Sequence, residues 1–320
     1  MQKNFWARLP ILVLMALIAT FLWGSAFPCI KIGYKLLSIG AEDTPSQILF
    51  AGSRFTLAGI MVVVVACIQR GHFVLPGKEG VIPVIVLSLF QTIGQYFFFY
   101  IGLAHASGVS SSLIEATNTF LTILIAVLIF HTEKLTTKKV IGCILGFIGV
   151  AIIQLPMPGS GSGGFGFTLL GEGCILFSTV ASAFSASLIK KYSKKEDPMI
   201  LSGYQFILGG IVLALAGRIA GGRLNLIHSV EGNLMAGSHI AAACALLSYM
   251  AFISACAYTL WSALLKYNPV SRVAVFGFVN PVVGVILSAF LLGETNQAFS
   301  LVGLTSLILV SLGIIVVNRP

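Results

Sequence analysis

The stretch PMPGSGSGGFG, residues Pro156–Gly166, lies near the middle of the 320-residue chain and decides how the fold is divided. It contains no charged residue and consists mostly of Gly, Ser and Pro, which is the composition of a flexible linker. We therefore predict two halves, residues 1–155 and 167–320, joined by a linker over residues 156–166.

Both flanks of this linker are far more apolar than an ordinary soluble domain. The chain is 57% hydrophobic and 9% charged, whereas about 25% of the residues of a soluble domain are charged. A membrane-spanning helix needs about 20 apolar residues. The chain has 22 uncharged residues between Arg8 and Lys31, and 25 between Glu79 and His105. This pattern predicts an integral membrane protein built of helices.

The apolar segments predict ten transmembrane helices, five on each side of the linker. They cover residues 9–32, 46–69, 80–103, 107–130, 138–155, 167–189, 198–218, 240–265, 270–292 and 297–317. Runs of this length exclude a β-barrel, whose strands alternate over about 10 residues. Because each half contains an odd number of helices, the second half enters the membrane from the opposite side. We expect an all-α membrane protein with two inverted five-helix repeats.

The distribution of Lys and Arg predicts the orientation of these helices. With the N-terminus in the cytoplasm, the inner segments hold 14 of these residues and the outer segments hold 4, as the positive-inside rule requires. We expect both termini in the cytoplasm and the protein in the cell membrane, inner or plasma. Because this topology explains the net charge of +9, nucleic acid is not an expected partner.

An internal repeat is weakly visible in the sequence itself. A shift of 161 positions lays residues 100–133 over residues 261–294, and Glu133 then meets Glu294. The same shift pairs Val109 with Val270, but only 5 of the 34 aligned residues are identical. The similarity suggests a duplication.

Several short motifs resemble those of a known group of membrane proteins. They are WGSAFPCIK (Trp23–Lys31), Arg54-Phe55, IGLAHASGVSSSL (Ile101–Leu113), Glu133 with Gly142, and Asn280-Pro281 with Gly293-Glu294. Together they resemble the drug/metabolite transporter superfamily, specifically its EamA-type group with two five-helix repeats. The resemblance implies a ten-helix fold, cytoplasmic termini and a role in moving small metabolites.

Two positions depart from the pattern of that group. A proline is common in the fourth helix of such proteins, but the position that aligns with Pro281 is Phe120. Glu115 is also unusual, because this part of the fourth helix is generally uncharged in the group. This departure points to a substrate that differs from those of better-known relatives.

Polar residues inside the predicted helices are the candidates for function, because a polar group that faces lipid is strongly penalised. In the fourth helix, Ser111, Glu115, Asn118 and Thr122 fall on one face. The expected substrate-binding residues are Glu115, Asn118, Gln91, Gln95, Trp23, Tyr204, Tyr258, Trp261 and Asn280. Contacts between helices are the alternative role for the two glutamines, and core packing for the two tryptophans.

Arg54 and Glu115 are expected at a similar depth in the membrane. Each lies 8 residues beyond the start of its apolar segment, which places it roughly 12 Å deep at 1.5 Å per residue. One interpretation is a structural ion pair between these two side chains. The other is that Glu115 binds a cationic group of the substrate or a coupling proton, because a carboxylate in a low dielectric favours such a partner.

The expected coupling or gating residues are Glu115, Arg54 and Pro281. A proline within a helix removes a backbone hydrogen bond and commonly kinks the chain. We therefore expect the ninth helix to bend at Pro281 and to free a carbonyl group beside Asn280. A static kink that serves packing is the alternative.

The sequence favours a secondary active transporter that works by alternating access, and excludes the common soluble enzymes. It contains no GxSxG, HExxH or GxxxxGK[ST] motif, and the six cysteines have no metal-like spacing. We expect export of a small polar, amino-acid-like or amine-bearing solute, with proton coupling and without cofactor or metal. A monomer or weak homodimer is expected, and a lipid flippase or a channel is the alternative function.

Overall fold

The computed structural model describes residues 5–131, 136–153, 167–225, 236–270, 273 and 275–318. The predicted linker Pro156–Gly166, the closing residue Glu133 and Arg319 lie outside the described residues. Every regular element in the described part of the chain is helical. The expectation of an all-helical membrane protein is confirmed at this level.

Seven of the described helices are long and apolar enough to cross a membrane. They are α1 (Leu9–Leu36), α2 (Thr44–Arg70), α3 (Val81–His105), α4 (Gly108–Leu128), α6 (Leu169–Tyr192), α7 (Pro198–Ile219) and α8 (Ala236–Tyr267). The remaining helices are α5 (Thr137–Ile153), α9 (Val279–Leu292) and α10 (Leu301–Asn318). Short helical turns cover Phe5–Ala7, Val275–Phe278 and Thr295–Ala298.

Short polar side chains cap the N-termini of several of these helices. Asp43 accepts a hydrogen bond from the backbone N–H of Ser46, and Asp197 accepts one from the backbone N–H of Met199. The Ser107 hydroxyl accepts one from Ser110 at the start of α4. Such caps satisfy donors that the first turn of a helix leaves unpaired. They explain why α2, α4 and α7 begin where they do.

Three helical regions near the centre of the molecule depart from regular α geometry. Residues Ser88–Gly94 of α3 form a π-helical segment, and α4 is interrupted at Ala116, immediately after Glu115. A 3₁₀ turn over Val275–Phe278 leads directly into α9, within the range 270–292 that was predicted as the ninth helix. Such departures often mark functional sites or hinges in helices.

A seam of glycines joins α2 to α7, so a helix of the first half packs directly on a helix of the second half. A Cβ atom at Gly52 would overlap the backbone of Ala214, and one at Gly210 would overlap the backbone of Thr56. Small residues allow helix backbones to approach closely in membranes. The two halves are therefore interlocked.

Contacts between helix ends define the two ends of the bundle. At one end, which we call the Arg70 end, Arg70 forms a 2.8 Å salt bridge with Asp197. Lys190 at the end of α6 also donates a 2.8 Å hydrogen bond to the carbonyl oxygen of Leu265 there. At the other end, which we call the Glu294 end, the residues that follow α9 contact the start of α4.

Candidate functional site

A cavity of about 110 Å³ lies in the middle of the bundle. Its walls come from α1, α2, α3, α4, α6, α8 and the residues around the start of α9. Both halves of the chain therefore build it. The lining includes nine predicted site residues: Trp23, Arg54, Gln91, Gln95, Glu115, Asn118, Tyr258, Trp261 and Asn280.

Two predicted site residues lie outside this lining. Tyr204 donates a 2.6 Å hydrogen bond to the carbonyl oxygen of Val74, in the connection between α2 and α3. Pro281 is buried and lies in the first turn of α9. Because proline has no backbone N–H, it cannot bond to the carbonyl of Gly277 four residues earlier, and Gly277 lies in the 3₁₀ turn that leads into α9. The expected bend at Pro281 stays a prediction. Pro28, which lies inside α1 next to Phe27, has the position of a helix-interior proline.

Glu115 presents a free carboxylate oxygen within the bundle. The side chain is 8% exposed, and its Oε2 atom has no hydrogen-bond partner among the residues that the structure describes. Its Oε1 atom accepts only a long 3.4 Å contact from Asn118. The stronger bonds of Asn118 go elsewhere, because it donates to the Ser182 hydroxyl at 2.9 Å and accepts from Thr122 at 3.1 Å. Among the described residues, Glu115 thus has one weak hydrogen bond and no charged partner.

Arg54 is also buried, but it does not pair with Glu115. The Nε atom donates to the carbonyl oxygen of Met250 at 3.0 Å and to the Ser254 hydroxyl at 3.1 Å. The Nη1 atom donates to the Tyr100 hydroxyl at 3.2 Å. The salt bridges between described residues are Arg70–Asp197 and Lys195–Glu79. The interpretation of Arg54 and Glu115 as an ion pair is therefore not supported among the described salt bridges, although both side chains line the same cavity.

The two glutamines of α3 take different roles in the cavity wall. Gln91 accepts a hydrogen bond from the side-chain amide of Gln205, so it joins α3 to α7. Gln95 donates to the Tyr258 hydroxyl at 3.3 Å, and its Oε1 atom has no partner in the described part of the chain. The Tyr258 hydroxyl is also hydrogen-bonded to that of Tyr96. Both glutamines thus join helices, while Gln95 additionally offers a free acceptor.

An aromatic group forms another part of the wall. The Trp23 ring lies 4.9 Å from the Tyr258 ring and 5.0 Å from the Trp261 ring, in edge-to-face contacts. The indole N–H of Trp23 and the Oδ1 atom of Asn280 are both buried, and neither has a partner among the described residues. The cavity therefore combines flat apolar surfaces with a few unpaired polar atoms, as small-molecule sites commonly do.

The cavity lining is displaced toward the Arg70 end. There it includes Ile189, Leu265 and Val270, which lie within about one turn of the ends of α6 and α8. Toward the Glu294 end it stops at Phe27 and Phe99, whose ring centroids are 5.6 Å apart. This asymmetry places the closed side of the bundle at the Glu294 end.

Aromatic residues continue this closure beyond Phe27 and Phe99. The Tyr34, Phe50 and Tyr100 rings contact one another with centroids 5.8 to 6.2 Å apart, and the Tyr34 hydroxyl donates to the Tyr100 carbonyl oxygen at 2.7 Å. A second cavity of about 210 Å³, which Lys31 and Glu294 help to line, shares no lining residue with the central one.

Some cavity residues were not predicted from the sequence. Tyr96, Phe99 and Thr119 line the cavity, yet they are not on the polar stripes that the helical period picks out. Tyr96 could have been identified as a candidate from the sequence, because it carries a hydroxyl group in the apolar run YFFFY of α3. In the described part of the chain, no group of three His, Cys, Asp or Glu side chains is placed to hold a metal ion.

Comparisons with known proteins identify relatives over almost the whole length. The family described as "EamA-like transporter family" matches residues 10–155 and 169–319. An uncharacterized transporter of Archaeoglobus fulgidus is 29% identical over 318 residues, with 96% of this chain and 99% of that protein covered. A solved crystal structure superposes with a TM-score of 0.65 at 18% identity, covering 95% of each chain, and shows similarity of fold alone.

Two further relatives carry descriptions of what they transport. A probable amino-acid metabolite efflux pump of Salmonella typhimurium is 25% identical, with 90% of this chain and 89% of that protein covered. An S-adenosylmethionine/S-adenosylhomocysteine transporter of Chlamydia muridarum is also 25% identical, with 63% and 62% covered. All the relatives named here are described as transporters or efflux pumps.

Proposed function

This chain belongs to the EamA-like transporter family, and from that premise we propose that it exports a small, polar, amine-bearing metabolite by secondary active transport. The observation that carries the proposal is the free Oε2 atom of Glu115, in a cavity that both halves of the chain line. A buried carboxylate without a partner is costly, and intramembrane carboxylates commonly mark sites for a substrate or a coupling ion. The efflux pump of amino-acid metabolites among the relatives supports the same solute class.

Alternating access is the proposed mechanism, and the two cavities support it. The central cavity reaches toward the Arg70 end, and aromatic rings lie between it and the second cavity at the Glu294 end. If the termini are cytoplasmic, as the distribution of positive charge predicts, the central cavity faces the cytoplasm in this conformation. A solute for export would load from that side.

The proposed architecture is ten transmembrane helices in two inverted repeats, covering residues 1–155 and 167–320. The break in α4 at Ala116 supports it, because the shift of 161 positions lays this residue on Gly277, within the 3₁₀ turn before α9. These breaks adjoin each other, since a Cβ atom at Gly277 would lie 2.8 Å from the Thr119 hydroxyl. Paired breaks near the binding site are typical of transporters with inverted repeats.

Reporter fusions test the orientation and the helix number together. A reporter fused after Arg319 should lie in the cytoplasm, and one inserted at Gly161 should lie on the outer side. The ten-helix proposal requires these two opposite locations, so finding both reporters in one compartment would refute it.

Glu115 is proposed to hold either the cationic group of the solute or a proton. Each partner relieves the desolvation penalty of the buried carboxylate, so the two compete for one oxygen-rich site. Competition of this kind couples solute movement to a proton gradient, since each translocation cycle exchanges one partner for the other.

Transport by reconstituted protein tests this proposal. Glu115→Gln keeps the shape of the side chain and removes its charge, so we expect it to abolish the pH dependence of amine transport. Glu172→Gln is the matched control, because Glu172 is 6% exposed, is bonded to the N–H and hydroxyl of Thr168, and does not line the cavity. It should keep the pH profile of the unaltered protein.

Counterflow in the same proteoliposomes distinguishes a transporter from a channel. An internal excess of unlabelled amine should transiently concentrate labelled amine in the vesicles, which a channel cannot do. An unchanged pH profile in Glu115→Gln would remove the coupling role from this carboxylate.

A further inference from the structure

Among the buried polar atoms of the cavity lining, more acceptors than donors lack a hydrogen-bond partner in the described part of the chain. Three lining side chains carry a buried oxygen atom of this kind: Oε1 of Gln95, Oε2 of Glu115 and Oδ1 of Asn280. The corresponding buried donor is the indole N–H of Trp23. Gln95 is 4% exposed and Glu115 is 8% exposed, so an unpaired polar atom on either side chain is costly.

We infer that the cavity selects a primary ammonium group, with its three N–H donors, over N-methylated cations of the same charge. This inference rests on the proposed function and specifies the solute class further. A primary ammonium offers one donor for each of the three free oxygens. Each N-methyl group removes one donor and leaves one buried acceptor unpaired, and unpaired buried acceptors are strongly penalised.

The three acceptors lie on three different helices, so a bound ammonium group would connect these helices. Gln95 belongs to α3, Glu115 to α4 and Asn280 to α9. Binding of one ammonium group would therefore link both halves of the chain across the breaks in α4 and before α9. A methylated cation would hold these helices less firmly, because it forms fewer of the three hydrogen bonds.

The Trp23 indole specifies a second feature of the solute. Its N–H donor needs an acceptor within the same cavity of about 110 Å³, which has room for only a small molecule. A hydroxyl, carbonyl or carboxylate oxygen close to the ammonium nitrogen would serve. The inferred class is therefore a small primary amine that carries a nearby oxygen atom.

The aromatic wall offers the main competing explanation. Trp23, Tyr258 and Trp261 line the cavity together, and aromatic rings bind quaternary ammonium groups through cation–π attraction. A site dominated by these rings would hold a trimethylated cation at least as well as a primary one. The two explanations thus predict opposite orders of affinity for the same series of ligands.

Binding of a methylation series to the purified full-length protein separates them. Ethanolamine, N,N-dimethylethanolamine and choline share one positive charge and one hydroxyl group, and they carry three, one and no N–H donors. We expect the dissociation constant from calorimetry to rise about tenfold for each lost donor. Ethanolamine, with three more donors, should then bind about 1000-fold more tightly than choline.

A pair of variants of α9 assigns the effect to the cavity. Asn280→Ala removes one acceptor and should shrink the ratio between choline and ethanolamine about tenfold. Ser288→Ala is the matched control, because Ser288 lies on the same helix, has an unpaired buried hydroxyl and does not line the cavity. This control should leave the ratio unchanged.

The outcomes distinguish failure of this inference from failure of the proposed function. If choline binds as tightly as ethanolamine, selection by N–H donors is refuted, while a cation site at Glu115 stands. If none of the three ligands binds and Glu115→Gln keeps the normal pH profile of transport, both the inference and the proposed function fail.

Discussion

The Glu294 carboxylate accepts hydrogen bonds from the first residue of α4, Gly108, at 3.1 Å and from the adjacent Val109 at 2.9 Å. A residue that follows α9 thereby caps a helix of the other half, at the closed end of the bundle. The negative charge also meets the positive end of the α4 dipole. Glu294 therefore links the two halves of the chain by hydrogen bonds at the closed end of the bundle. Alternating access would require the two halves to separate at this end.

Loss of this cap should destabilise the protein measurably. Glu294→Ala leaves two backbone N–H groups at the start of α4 without their partner, so we expect the free energy of unfolding to fall by about 1–2 kcal/mol. Thermal unfolding of the purified protein measures this change. Glu79→Ala is the control, since the exposed Lys195–Glu79 pair should contribute almost nothing. Equal effects of the two substitutions would contradict a specific role for Glu294.

Arg54 should tolerate replacement by lysine poorly. Its guanidinium reaches Met250, Ser254 and Tyr100 at once, and the compact ammonium of lysine cannot reproduce that planar geometry. We expect Arg54→Lys to lower the free energy of unfolding by about 1–3 kcal/mol, because a buried cation then loses hydrogen bonds. Ser254→Ala should cost less in the same denaturation assay. A fully stable Arg54→Lys protein would show that these bonds are dispensable.

The glycine seam between α2 and α7 should not accommodate even one methyl group. A Cβ atom at Gly210 would lie 2.4 Å from the backbone nitrogen of Thr56, so we expect Gly210→Ala to cost about 1–3 kcal/mol through overpacking. Gly40→Ala is the matched control, because nothing lies within 4 Å of its Cβ position. Comparison of their melting temperatures checks the prediction, which requires a loss for Gly210→Ala alone.

Phe27 and Phe99 should form the inner part of the barrier at the closed end. Their rings touch where the cavity lining stops, so Phe99→Ala would open a path toward the Glu294 end. We expect this variant to let solute leak down its gradient and to accumulate less solute against it. Phe97→Ala, on the exposed side of α3, is the control for loss of a ring. Tight coupling in Phe99→Ala would place the barrier elsewhere.

The membrane helices were predictable because the cost of burying charge in lipid leaves long uncharged runs in the sequence. Seven of those runs correspond to helices that are long and apolar enough to span. The same cost made the cavity predictable, since Gln95, Glu115 and Asn280 are polar side chains that lipid would exclude. The break at Ala116 was not predictable, because no local residue pattern marks it. The 3₁₀ turn at Gly277 does have such a pattern, since Pro281 lies four residues later and lacks the backbone N–H that would bond to the Gly277 carbonyl.

Other predictions about individual side chains were wrong because the depth of a residue in the membrane does not determine the side of its helix on which it lies. Arg54 and Glu115 were correctly assigned to one region, yet their helices turn them to different partners. Tyr204 has the composition of a site residue but bonds to Val74 outside the cavity. Rotation of a helix depends on its packing partners, which periodicity in one sequence does not identify.

The glycine seam also determines the order in which the newly made chain can be completed. Synthesis finishes α2 at Arg70, long before α7 begins at Pro198. The glycine face of α2 therefore stays without its protein partner in the membrane, in contact with lipid or with an insertion factor, until α7 has been synthesised. The pairing of α2 with α7 therefore cannot form within the first half alone, and an mRNA truncated after the linker would encode a first half that lacks this packing partner.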